Sequence, residues 1–186
     1  KKYTEKAEFW MKEGNRLTMS VSNISMETCS AYMEAIRLFQ PNYIHAYASA
    51  IALLINYAIK LNEKFPSSIE NIFCDSETVY PWQRDLIKNY IGGNLYNIYG
   101  HTESAGMAIT FPGSSELESL PIGIMEILNS NSMPVRIPGR TGEIVVTGFN
   151  NKIMPFIRYR TFDIAEIATE PNVHKRSFRP ILSNIK

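Results

Sequence analysis

The chain has 186 residues, 45% hydrophobic and 20% charged, with 19 basic against 18 acidic side chains. That apolar fraction excludes intrinsic disorder, and a net charge of +1 without a local run of Lys or Arg leaves no electrostatic footprint for nucleic acid. The length suits one domain of ordinary size, or one and a small part. The longest nearly apolar stretch, Ala46 to Ile59, contains Tyr47, Ser49, Asn56 and Tyr57. It falls short of the roughly 20 apolar residues of a membrane span, so it reads as a buried helix and no membrane partner is expected. Cys29 and Cys74 cannot make a disulfide framework or a cysteine-rich metal site, and read as reduced thiols of a cytosolic core. Lys1 opens the chain without an initiator Met or a signal-peptide apolar region, and Lys186 follows an apolar run with no stop signal, so both ends read as cuts.

In chain order, residues 5 to 13 are charged and aromatic and predict an amphipathic helix ended by Gly14. Ser25 can cap a second helix with Glu27 in its first turn; Cys29, Tyr32, Met33, Ile36 and Phe39 fall at helical spacing, and Pro41 follows. Met19, Met26, Met33 and Met107 read as core gap-fillers. Tyr43 to Tyr47 is short and extended. The Ala- and Ile-rich run from Ala48 to Lys64 is helical and broken by Pro66. Ile69 to Cys74 predicts a strand, Pro81 opens a helix from Trp82 to Ile91, and Leu95 to Tyr99 is a further strand. Short apolar strands alternating with helices argue for an α/β fold, a parallel sheet with helices on its faces. From Leu117 the character changes: Ile122 to Leu128, Gly142 to Thr147 and Ile157 to Thr169 read as strands between Pro-, Gly- and Asn-rich turns. The predicted organisation is a layered α/β part over 1–117 and a smaller antiparallel β subdomain over 118–186.

The most informative segment runs from Asn97 to Ser104, a strand entering a turn with an aromatic ring, a glycine, a hydroxyl and a carboxylate close together. Loops after the carboxyl ends of parallel strands are where α/β proteins bind ligands. Tyr99 could lie flat on a purine, Gly100 would let the backbone approach, Thr102 could donate to a phosphate oxygen, and Glu103 could ligate a hard cation such as Mg²⁺. The bland alternative stands beside this: Tyr and Gly end many strands, and Thr followed by Glu is an ordinary helix start.

Tyr99-Gly100-x-Thr102-Glu103 resembles the central motif of the adenylate-forming superfamily of acyl-CoA synthetases, adenylation domains and luciferases. Ser76-Glu77-Thr78 is similar to the segment where that family has a small residue and Glu beside adenine and substrate. Gly139 to Thr147 resembles its Gly-Glu strand, and Pro155 to Asp163 its Pro-x-x-Arg-Tyr-x-Thr-Gly-Asp segment, with Phe162 in place of the common Gly. The Arg-Tyr-Arg-Thr run looks most like the phenylacetate–CoA ligase branch, which includes capsule-biosynthesis relatives; Ile44 to Ser49 is similar to that branch's Gly-Tyr-Pro-Ser turn, with Ala replacing Gly and Pro.

The resemblance implies a cytoplasmic ligase that uses ATP and Mg²⁺ to activate a small carboxylic acid as an acyl-adenylate and passes the acyl group to coenzyme A. By motif position it implies Thr102 and Glu103 as catalytic residues, with Glu103 on the metal. Tyr99 would stack on adenine, with Gly100, Ser76 and Glu77 beside the nucleotide and His101 near the acyl pocket. Asp163 would take the ribose hydroxyls, in a site where Phe162 could alter nucleotide affinity. Each residue keeps a structural alternative: Asp163 as a turn carboxylate, Glu77 in a helical first turn, Arg158 and Arg160 paired with Glu143, Asp163 or Glu166. His45 and His174 read as non-ligands. No Ser/Thr/Gly-rich phosphate loop followed by Pro-Lys and no Gly-Arg-x-x-Asp hinge occurs in the chain. The expected partners are therefore further N-terminal and C-terminal parts of one larger enzyme, without which the chain is expected to be inactive. A homodimer stays open. So do a ligase with a capsule-associated acceptor and a non-catalytic nucleotide-binding or scaffold domain.

Overall fold

The computed structural model describes residues 9–169 and 180–186, in two compact units that part between Leu95 and Tyr96. His174 and residues 5–8 of the predicted first helix lie outside the described residues. The remainder of that helix prediction is corrected: β1 (Trp10–Glu13) and β2 (Arg16–Met19) form an antiparallel hairpin in which Trp10 faces Met19 and Lys12 faces Leu17. Burial alternates along both strands, a period of two that the charged, aromatic composition disguised. Gly14, at φ +56°, makes the turn with Asn15; a Gly-Asn pair between alternating runs is itself a hairpin signal. Phe9 stacks on the Tyr32 ring and Trp10 meets it in a T, with centroids 6.1 and 5.9 Å away, and the Tyr32 hydroxyl donates to the Ser20 carbonyl at 2.7 Å.

Ser25 caps α1 (Met26–Phe39) as its sequence predicts, exchanging hydrogen bonds with Thr28, and Cys29, Tyr32, Met33 and Ile36 form the buried stripe. β3 (Tyr43–Ala46), α2 (Ala48–Lys60), β4 (Asn71–Asp75) and α3 (Pro81–Tyr90) follow, with Pro81 in the first helical turn. β3 and β4 pair in parallel, Ile44 opposite Ile72 and Ala46 opposite Cys74, and the helices bury Ile51, Leu54, Ile55 and Ile87 in one core with Ile72. Burial pushes the Cys74 thiol up to about 12 and raises that of Cys29 as well. Since the thiolate is the nucleophile, neither of the two thiols is expected to react with an aromatic disulfide at pH 8 in the native protein, and both should titrate in guanidinium. Fast labelling of either native thiol would contradict this packing.

Within the second unit the described strands pair antiparallel. From β5 (Asn94–Gly100) the chain passes to β6 (Met107–Thr110), β7 (Leu117–Ser119), β8 (Gly123–Leu128), β9 (Thr141–Gly148), β10 (Tyr159–Ile167) and β11 (Ile181–Ser183). The strand order is β5-β6-β7-β11-β10-β9-β8, so β11 returns to fill the gap between β7 and β10. Ala108, Leu117, Met125, Ile127, Ile144, Val146, Ala165 and Leu182 form its core. The strands predicted over 122–128, 142–147 and 157–169 appear as β8, β9 and β10; β6, β7 and β11 were not predicted, being three or four residues each. Among the described residues no helix is long and apolar enough to cross a membrane.

Candidate nucleotide and cation site

The motif segment lies where β5 ends. Tyr99 and Gly100 are its last two residues, opposite Ala108 and Met107 of β6, and residues 101–104 make the turn between the strands, closed by the Ser104 N–H donating to the His101 carbonyl at 3.0 Å. A side chain built at Gly100 would meet nothing nearer than Met107 at 3.9 Å, and its φ is not in the left-handed region. Packing within the unit therefore does not demand glycine there; the open space over that backbone fits close approach by a ligand. Thr102 is exposed at the tip of the turn.

Two carboxylates, Glu103 of the turn and Asp163 of β10, are each held by a tyrosine. The Tyr99 hydroxyl donates to Asp163 Oδ2 at 2.6 Å, and the Tyr159 hydroxyl donates to Glu103 Oε1 at 2.9 Å. The bonds are reciprocal: the β5 turn supplies one tyrosine and one carboxylate, and β10 supplies the complement. His101 Nδ1 lies 3.2 Å from Glu103 Oε2, so each oxygen of Glu103 is engaged by a different residue. Glu103's own backbone N–H, then Tyr159 and His101, hold its carboxyl below the usual range, and the bond to Glu103 raises the Tyr159 phenol. Tyr99 is raised by burial first and by Asp163 second.

A break in the β9–β10 ladder aims Asp163. Register runs Arg160 to Val145 and then Ile164 to Glu143, so residues 161–163 bulge opposite Ile144. Thr161 donates to the Ile144 carbonyl at 2.9 Å and accepts the Asp163 N–H at 3.2 Å, pinning the bulge. Phe162 sits there at φ +65°, a conformation that favours the Gly of the motif it resembles. Its ring is 77% exposed and lies 5.4 Å from the Arg160 guanidinium. Arg160 pairs with Glu143, one of its predicted partners. Arg158 pairs instead with Glu126 at 3.2 Å, across to β8, a partner its own sequence neighbourhood does not offer. Glu166 accepts from Asn184.

Ser76 and Glu77 belong to the first unit. Ser76, at φ +61°, turns the chain after β4. Ser49 donates its backbone N–H at 2.9 Å and its hydroxyl at 2.8 Å to the Glu77 carboxylate. Tyr47 gives α2 no side-chain cap, so Glu77 serves the helix N-terminus from a distance in sequence. His45 Nε2 lies 2.8 Å from Asp75. Tyr159 is the one member of the cluster to which its sequence assigned no role, although it stands inside the quoted Arg-Tyr-Arg-Thr run.

No group of three or more His, Cys, Asp or Glu side chains converges among the described residues, so a protein cage for a metal is absent from them. Mg²⁺ needs no such cage where one or two carboxylates complement phosphate and water oxygens. Three groups, Tyr159, His101 and the backbone N–H of Glu103 itself, meet a carboxylate with about four lone-pair sites, which leaves room for a cation, and the residues fit that mode of binding.

The same fold occurs in 2-hydroxyisobutyryl-CoA ligase solved with 2-HIB-AMP and CoA (TM-score 0.65, 16% identity, 80% of this chain and 34% of that one). It occurs too in the anthranilate CoA ligase AuaEII solved with anthranoyl-AMP (TM-score 0.63, 14% identity, 78% and 31%). The chain thus has the mixed α/β fold found in AMP-linked CoA ligases. In sequence it is 28% identical to Protein CapK of Staphylococcus aureus over 169 residues, 89% of this chain and 36% of the relative. It spans about a third of the length of each of these proteins. No protein-family model matches it.

Proposed function

We propose that the protein is an AMP-forming ligase of the phenylacetate–CoA ligase kind, in which this chain supplies the adenosine and cation side of the site. The observation that carries the reading is the joining, within one unit, of the Tyr99–Glu103 turn to Asp163 by paired tyrosine–carboxylate bonds. In the first step a substrate carboxylate oxygen attacks the α-phosphorus of ATP and pyrophosphate leaves. In the second the thiol of coenzyme A attacks the acyl carbon and AMP leaves. Mg²⁺ held at Glu103 would offset charge on the phosphates. Tyr99 offers its ring face to adenine while its hydroxyl fixes Asp163, leaving Oδ1 and the second lone pair of Oδ2 for the ribose hydroxyls. Thr102, exposed at the turn, donates to the α-phosphate, and His101 borders the acyl group. In this reading 118–186 is the small β subdomain of a larger ligase domain acting in the cytoplasm.

The test is ATP–pyrophosphate exchange by the full-length protein across aryl, aliphatic and amino-acid carboxylates, followed by thioester formation with coenzyme A. Exchange with at least one carboxylate is expected, and none from residues 1–186 alone. Exchange without transfer to coenzyme A would favour a different acyl acceptor, as in a capsule-associated ligase. Nucleotide binding without exchange against any carboxylate would make the protein a non-catalytic nucleotide-binding module.

A further inference from the structure

We propose that Tyr159 is a positioning residue for the Glu103 carboxylate, fixing the rotamer in which that carboxylate meets a nucleotide-bound divalent cation. The inference rests on the reading of Glu103 as the cation-holding group. A glutamate at the tip of a turn has three side-chain torsions and is one-third exposed, so its backbone alone does not aim it. The Tyr159 hydroxyl meets Oε1 and His101 meets Oε2, so each carboxylate oxygen is engaged by a side chain other than its own, and together they restrain the plane of the carboxylate. Groups that hydrogen-bond to a ligand carboxylate in this way set its orientation and with it the affinity for the metal.

Tyr159 is itself held. It is the first residue of β10, opposite Val146 of the buried β9, so its backbone is set by the ladder. Its ring packs T-shaped with Phe156, centroids 5.0 Å apart, and lies 6.0 Å from the His101 ring. The hydroxyl therefore arrives at Glu103 from a rigid strand rather than from the turn it restrains. No role in packing explains the hydroxyl, since phenylalanine would fill the same contacts with Phe156.

The experiment compares Tyr159→Phe with the natural full-length protein in two titrations, ATP with Mn²⁺ read by electron paramagnetic resonance of the bound ion, and ATP in chelator read by calorimetry. Loss of one hydrogen bond to a partly exposed charged group should weaken the Mn²⁺–ATP complex about five-fold and leave metal-free ATP affinity unchanged. In a Glu103→Gln background the same substitution should have no further effect. Equal weakening of both titrations, an undiminished effect in the Glu103→Gln background, or loss of the fold would make the bond a structural strut and overturn the proposal. If the natural protein binds nucleotide in neither titration, the ligase reading fails and the proposal with it; if it binds and Tyr159→Phe changes nothing, the proposal alone fails.

Discussion

Replacing Glu103 by Gln is expected to lower ATP–pyrophosphate exchange by the full-length protein about 100-fold, the scale on which removal of one fixed electrostatic group facing a reacting centre is felt. The fold should tolerate the change. Glutamine keeps the length and shape of the side chain, and its carbonyl oxygen still accepts from the Tyr159 hydroxyl. Its amide would face His101 Nδ1, and a neutral imidazole can present a lone pair there by placing its proton on Nε2. Nε2 is buried without a partner, so that switch breaks no bond but leaves an N–H unsatisfied there, at a cost of about 1–2 kcal/mol. The melting temperature is accordingly expected to fall by about 2–6 °C, with the fold retained. What disappears is the negative charge that a cation needs. Exchange at more than half the natural rate, with metal still required, would remove Glu103 from the chemistry and leave its hydrogen bonds as packing.

That prediction depends on features that differed in how far the sequence exposed them. The Tyr99–Glu103 turn was legible because each residue type there has a separate chemical reason, and the structure puts the segment at a strand end as expected. The Ser25 cap and the apolar stripe of α1 were legible because both are local and periodic. The hairpin at 10–19 was missed through composition: Phe9, Trp10 and Lys12 look like an amphipathic helix face until Gly14-Asn15 is taken as a turn. β6, β7 and β11 carry too few residues for any period to show, and they become strands only through their neighbours in the sheet. Arg158 illustrates the deeper limit. Its sequence neighbours offered Glu143, Asp163 and Glu166, yet the sheet sets Glu126 of β8 beside it, because β9 lies between the strands of both partners and no spacing along the chain encodes that. Tyr159 is hidden for the same reason: the carboxylate it meets comes from another strand–turn unit. Phe162 stood out as a departure from a glycine pattern. The left-handed backbone now gives the reason for that pattern, and the exposed ring leaning toward Arg160 shows how the chain accommodates the exception.

The glycines separate what folds the second unit from what the site requires. Gly123 and Gly148 stand opposite one another at the ends of β8 and β9, and together they cradle Ala105, two residues after Glu103 and buried. A Cβ at Gly123 would lie 2.3 Å from the Ala105 carbonyl oxygen and 2.5 Å from that of Thr147. Both obstacles are backbone atoms, Thr147 within β9 and Ala105 in the buried bend that follows Glu103, so they cannot step aside as the end of a flexible side chain would. Gly123→Ala is therefore expected to destabilise the protein by about 3 kcal/mol, the upper part of the range for overpacking, and to lower its melting temperature by roughly 5–10 °C. Gly100→Ala makes the opposite case. With 3.9 Å of clearance and no left-handed φ, the added methyl should leave melting unchanged and weaken ATP binding, because it occupies the space over the backbone that the nucleotide would use. Calorimetric melting and nucleotide titration of the two variants, measured side by side, decide the matter. If Gly100→Ala melts early while binding ATP normally, the glycine serves the fold; if Gly123→Ala melts with the natural protein, β8 and β9 do not hold Ala105 in the way their glycines indicate.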